Sequence, residues 1–200
     1  MQGSLMKIRT VLIGLMLALP LSCGDARSAR DSLPVMRWDH RPEADIWTSR
    51  TLLAVERRDD DLTDIVPQDI GLWCPGYPDA TPDERRAFWT GLLSALAKHE
   101  STWNPAASGG GGRWIGLTQI APQTARANGC DAKSVGELKD GARNLSCAVN
   151  ILARQVARDN LVAGNGSMGM GRDWAPLRNA SKRADMAAWT RAQPYCRLKS

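Results

Sequence analysis

The sequence predicts a mainly α domain with one irregular glycine-rich loop, and three observations carry that prediction. Capping residues spell out two helix starts, at Thr81-Pro82-Asp83-Glu84 and at Ser134 to Glu137. Phe88, Leu92, Ala95, Leu96 and His99 share one helical face, and Cys147, Ala148, Ile151, Leu152 and Val156 share another. No alternating strand of useful length appears, except around the glycine loop, and no internal repeat is visible.

The chain opens on a leader. Lys7 and Arg9 make a positive start, and Val11 to Leu21 is an apolar run of secretory-signal length, short for a bilayer span. Residues 1–24 are therefore expected to be a signal peptide, with export to the periplasm or cell envelope. Two endings are open. Leu21-Ser22-Cys23-Gly24 is similar to a lipoprotein cleavage box, which would put a lipid on Cys23 and attach the protein to a membrane. Simple cleavage after Gly24 or Ala26 is the alternative. The oligomeric state stays undetermined.

Residues 25–69 read as an N-terminal arm and helix. Asp25 to Arg41 is polar and irregular, and is expected to be a mobile linker. Asp45 to Arg58 has Ile46, Leu52, Leu53 and Val55 at roughly helical spacing, followed by Asp59-Asp60-Asp61 and by Pro67 as a breaker. The compact domain is expected over 70–200, entered through Cys74-Pro75-Gly76-Tyr77.

Thr81 caps the next helix, Pro82 fits its first turn, and Glu84 completes the box. The glycine loop Ser108 to Trp114 follows, then Ile115 to Ile120. Pro122 to Asn128 reads as a short helix closed by Gly129. Cys147, Ala148, Ile151, Leu152 and Val156 mark a third good helix, and a last one runs from Ser181 to Arg191, stopped by Pro194. Gly164-x-Gly166-x-x-Gly169 imitates a dinucleotide fingerprint, but it follows a helix rather than a strand, so it reads as a loop or a lip on a cleft.

Four cysteines remain after the leader, which in an exported chain implies two disulfides with three connectivities open. The preferred pairing is Cys130–Cys147, closing a short loop before a helix, with Cys74–Cys196, tying the domain's beginning to its end. No Cys-x-x-Cys pair is present, and neither metal nor cofactor is expected. The formal charge is +5, or about +3 without Lys7 and Arg9. That mild excess suits an anionic polymer, but no basic cluster points to nucleic acid.

Glu100 is the leading candidate for chemistry. It ends an apolar helical run where the helix leaves the core, so partial burial should raise its pKa and keep it protonated near neutrality. Such an acid can protonate a leaving-group oxygen. No Asp or Glu follows until Asp131. His99 is read as core-facing or hydrogen-bonded, because the only other histidine is His40. Eight tryptophans stand against one phenylalanine. Trp103, Trp114 and Trp174, in or beside loops, are candidates for stacking on sugars, and Trp73, Trp89 and Trp189 for the core.

Three blocks together resemble the soluble lytic transglycosylase (SLT) domain of the goose-lysozyme-like fold, glycoside hydrolase family 23 type. Glu100-Ser101 with Asn104-Pro105 matches the family's Glu-Ser block and Asn-Pro turn. Gly116-Leu117-Thr118-Gln119-Ile120 with Pro122, Thr124 and Ala125 matches its Gly-Leu-Met-Gln block and Pro-x-Thr-Ala. Asn144 to Leu152 is similar to its later helix. The resemblance implies a lysozyme-like α domain acting on peptidoglycan glycan strands. Its reaction cleaves the MurNAc-GlcNAc β-1,4 bond and forms 1,6-anhydro-MurNAc, with Glu100 as general acid and then base. Ser101, Gly116, Leu117, Gln119 and Trp174 are the implied substrate-binding residues. The family's Tyr-Asn-Ala-Gly block is missing here; Trp174 and Tyr195 are the candidates to replace its tyrosine. Two alternatives stay open: a lysozyme-type hydrolase, and a non-catalytic wall-binding protein of the same fold.

Overall fold

The structure is a computed structural model that describes residues 33–199; the leader, Cys23 and the first part of the arm lie outside them. Seven α-helices and one two-stranded hairpin organise the described residues: α1 (Ala44–Glu56), α2 (Pro82–Ser101), β1 (Ser108–Gly109), β2 (Trp114–Ile115), α3 (Pro122–Ala127), α4 (Val135–Leu138), α5 (Gly141–Asp159), α6 (Ala175–Arg178) and α7 (Ala180–Ala192). Short 3-10 turns fill several connections.

Helix α2 is the axis of the molecule. Its capping box forms as expected, with the Thr81 hydroxyl accepting from the Glu84 N–H and the Glu84 carboxylate accepting from the Thr81 N–H. Every residue from Ala87 to Ala97 is buried, so the helix is apolar all round and surrounded by the rest of the fold. Helices α1 and α7 pack on α2, and α1 also packs on α5. Near its start, Tyr77, Phe88 and Trp89 meet edge to face at 4.9–6.3 Å. The Trp89 indole N–H donates to the Tyr77 hydroxyl at 3.0 Å, and that hydroxyl donates to Leu62 O at 2.8 Å.

Two expectations about the N-terminal part need correction. The arm expected to be mobile is packed from residue 33 onward: Met36 and Trp38 are buried, and the Arg37 N–H donates to Ser94 Oγ on α2 at 2.9 Å. The compact unit therefore extends well upstream of residue 70. Helix α1 forms close to the expected span, but it buries Trp47, Thr48, Thr51, Ala54 and Val55 and leaves Ile46 and Leu53 exposed. Trp47 decides the face. Its ring meets Trp38 edge-on at 5.9 Å, and its indole lies against Gly141, where a Cβ would collide with it.

The two disulfides are Cys74–Cys196 and Cys130–Cys147. The first joins the approach to α2 with the chain after α7, where the Gly76 N–H also donates to Cys196 O at 2.9 Å. The second clamps the turn after α3 to α5. The segment from Val162 to Gly171 is a closely packed loop. The Asp69 carboxylate accepts the N–H groups of Val162, Ala163 and Gly164 at 2.6–3.0 Å. Asp159 accepts those of Gly169 and the Arg172 guanidinium at 2.6–2.9 Å. A Cβ at Gly166 or Gly169 would collide with backbone carbonyls, so these glycines serve close packing rather than a phosphate.

Candidate active site

Glu100 is set in place by the way α2 ends. After the buried stretch, Lys98, His99 and Glu100 emerge half-buried. The chain then leaves through Thr102 and Trp103, both in the left-handed region at φ 50° and 55°. Non-glycine residues hold that conformation only when their surroundings over-determine it, and such sites cluster where function needs fixed geometry. Here the surroundings do so: the Thr102 N–H donates to Lys98 O at 3.2 Å, the Trp103 N–H donates to Ala97 O at 3.3 Å, and the Trp103 indole donates to Ser94 O at 2.9 Å. The Asn104 side chain then accepts from the Ala106 N–H at 2.9 Å, fixing the Asn-Pro turn.

The second wall is the turn Gly116 to Gln119. Gly116 sits at φ 81°, and a Cβ there would strike Leu138 O and the Asn144 amide, so only glycine fits. Asn144, buried on α5, accepts from the Thr118 N–H at 3.0 Å and its hydroxyl at 2.7 Å, while donating to Ile115 O and Leu138 O at 3.0 Å each. The Ser101 hydroxyl bridges the two walls by donating to Leu117 O at 2.9 Å. Ser101 thus ties the end of α2 to the turn instead of hydrogen-bonding Glu100. Leu117 is itself buried and takes part here through its carbonyl. The Gln119 amide donates to Gly116 O at 2.9 Å and to Ala107 O at 3.4 Å, leaving its carbonyl as the acceptor beside Gly109.

Burial pushes the Glu100 pKa up to about 7, against the opposing charge of Lys182 on α7. No hydrogen bond and no carboxylate contributes to that shift among the described residues. Asp173, the acid within the stretch between α5 and α6, accepts from the Gln155 amide at 2.7 Å. His99 is hydrogen-bonded, as expected, to Asp185 on α7 at 2.7 Å. Asp185 also pairs with Arg37 at 2.7 Å and Lys98 at 3.4 Å, and the Arg37 contact first, then His99, holds its carboxyl far below the usual range. This knot fixes α7 against the end of α2 and brings Lys182, one turn earlier, to bear on Glu100.

The two candidates for the missing tyrosine separate clearly. Tyr195 donates to Val35 O at 3.2 Å and lies against Gly91, nine residues before Glu100 on α2, so it is about 13 Å away along the axis. Trp174 donates from its indole to Thr118 O at 2.9 Å and is 3% exposed. It backs the Thr118 turn and offers no open face for a sugar, which corrects its expected stacking role. Trp103 is half-buried, and Trp114 is the exposed one.

Sequence reasoning missed Asn144 and Lys182 as parts of this arrangement. Asn144 had a signal, a polar residue inside the apolar face of α5. Lys182 had none, since its placement depends on how α7 docks. Among the described residues no cluster of His, Cys, Asp and Glu is arranged to hold a metal ion, and no helix is long and apolar enough to cross a membrane. A cavity of about 590 Å³ lies between α1 and α5, walled by Trp47, Arg50, Lys139 and Arg143 among others; Glu100 does not line it.

The family model described as "Transglycosylase SLT domain" matches residues 80–186, from the start of α2 into α7. Among solved structures, two single-residue mutants and a wild-type form of Bd0314 DslA are similar. One mutant is 29% identical with a TM-score of 0.75, covering 82% of this chain and 98% of that one. The wild-type form is 29% identical at a TM-score of 0.74, with the same coverage of both chains. The other mutant is 28% identical at a TM-score of 0.72, again covering 82% of this chain and 98% of that one. No curated protein matches. The fold is a mainly α, lysozyme-like helical domain with two disulfides.

Proposed function

Because the chain belongs to the transglycosylase SLT domain family, we propose that it is a lytic transglycosylase of the goose-lysozyme-like type. Its substrate is the β-1,4 bond between N-acetylmuramic acid and N-acetylglucosamine in peptidoglycan. One observation carries this reading: Glu100 is a half-buried acid raised to about 7, with no hydrogen bond and no second carboxylate contributing to that shift among the described residues.

Glu100 protonates the glycosidic oxygen as the bond to C1 breaks, and the sugar's own acetamido group stabilises the cationic centre. The carboxylate left behind takes the proton from the C6 hydroxyl, whose oxygen closes on C1 to give the 1,6-anhydro sugar. Glu100 ends protonated, as it began, and no water is consumed. Ser101 and Leu117 hold the two walls at a fixed distance, and the Gln119 carbonyl accepts a hydrogen bond from the sugar.

Two disulfides suit an oxidising compartment, which supports an exported protein acting in the periplasm or cell envelope. Digestion of purified sacculi followed by mass spectrometry tests the reaction. Anhydro-muropeptides are expected from the wild type and none from Glu100→Gln. Products heavier by one water would make the protein a hydrolase, and binding without soluble product a wall-binding protein.

A further inference from the structure

Trp114 on β2 is 44% exposed, whereas every other described tryptophan is buried or half-buried. An indole that large is normally covered unless something docks on it. Its seat is built rather than incidental. A Cβ at Gly110 would run into Cε3 and Cζ3 of the indole, so the ring's six-membered edge rests on glycine backbone at φ 56°. Gly109, Trp114's partner in the hairpin, equally lacks room for a side chain because the Gln119 amide fills that space. The hairpin is thereby locked to the turn that the Ser101 hydroxyl joins to the end of α2.

The neighbouring residue adds a charge. The Arg113 guanidinium lies 5.6 Å from the Trp114 ring centroid. It is exposed and makes no ion pair with any described residue. A cation held over an indole that is still 44% exposed is suited to a ligand that is apolar on one side and anionic at its edge.

We propose that Trp114 and Arg113 form a saccharide subsite on the hairpin that takes a sugar ring bearing a carboxylate substituent. The indole stacks on the ring's C–H face and the guanidinium pairs with the carboxylate. Gly109 and Gly110 are the positions that let the platform lie flat. This deepens the proposed function, on which it rests for the identity of the glycan: of the two alternating sugars, the acidic one occupies this position.

The test uses the Glu100→Gln chain, so that ligand is not consumed, and titration calorimetry with two probes. One is a neutral chitooligosaccharide; the other is a glycan strand of equal length, stripped of peptide but keeping its lactyl carboxylates. Adding Trp114→Ala should weaken both by about tenfold, with an unchanged circular dichroism spectrum and melting temperature. Adding Arg113→Gln should weaken only the acidic strand, by about threefold, and 0.5 M salt should erase the same preference. Unaltered binding after Trp114→Ala overturns the subsite. Equal affinity for both probes, unmoved by Arg113→Gln, overturns its selection of an acidic ring. Failure of the reaction reads differently: a wild type that releases no anhydro product, yet binds through Trp114, refutes the chemistry and leaves the subsite standing.

Discussion

The side-chain carbonyl of Asn144 accepts both the N–H and the hydroxyl of Thr118, at 3.0 and 2.7 Å. One amide from the core of α5 therefore dictates the path of the turn that the Ser101 hydroxyl ties to the end of α2. With its two donations to Ile115 O and Leu138 O, the buried amide is fully used. Asn144→Ala would strand several buried backbone groups, at a cost of about 3 kcal/mol. Thermal unfolding should drop by roughly 6–12 °C. Wall-digesting activity should fall even at temperatures where the variant is folded, because the turn loses its template. Unchanged melting would refute this account.

Glu100 should cost stability when ionised. Its folded pKa, about 7, lies above the ordinary 4.5, so the stability linked to its proton is complete below pH 4.5 and is lost as pH rises through 7. The loss reaches on the order of 3 kcal/mol. Glu100→Gln has no charge to bury. Denaturant titrations should find it as stable as the wild type near pH 4 and more stable at pH 8–9. Curves that coincide across the whole range would mean the carboxyl is freely hydrated.

On the proposed mechanism, activity should decline as pH rises through about 7, where Glu100 gives up the proton that it donates in that scheme. Lys182 favours the carboxylate, so removing its charge strengthens the acid's hold on its proton. Lys182→Met should move the alkaline limb of the kcat/KM profile to higher pH, and Lys182→Arg should leave it in place. A merely structural lysine would lower the profile without displacing it.

The disulfides should differ in weight. Cys74–Cys196 spans 122 residues and Cys130–Cys147 spans 17. Replacing both partners by serine should cost about 5 kcal/mol for the first and about 3 kcal/mol for the second, on a loop-entropy basis. Melting of the two double variants, with and without reductant, checks the order.

What could be read from the sequence was local. The boxes at Thr81/Glu84 and Ser134/Glu137 close within three residues, and both form. Gly129 follows α3 at φ 65°, and both cysteine pairs join as preferred. Expectations that depended on docking fared worse. The face of α1 turns on Trp38, which arrives from a stretch that looked like a mobile arm. Trp174 sits in a loop by sequence, yet Thr118 draws its indole inward. The glycines after α5 read as a loop or a lip on a cleft, but Asp69, more than ninety residues upstream, gathers three of the loop's N–H groups. The environment of Glu100 falls between these cases. Its emergence from a dry helix was legible, whereas the lysine that tempers it was not.

The placement of the indoles also gives the protein an optical consequence. All eight tryptophans lie among the described residues, and only Trp114 stands well into solvent. Iodide or acrylamide added to the solution should reach that ring first and dim the red-shifted edge of the emission, while the blue-shifted signal from the interior persists. With the proposed subsite, the molecule would report occupancy of its hairpin in unlabelled form, by a colour change that needs no engineered probe.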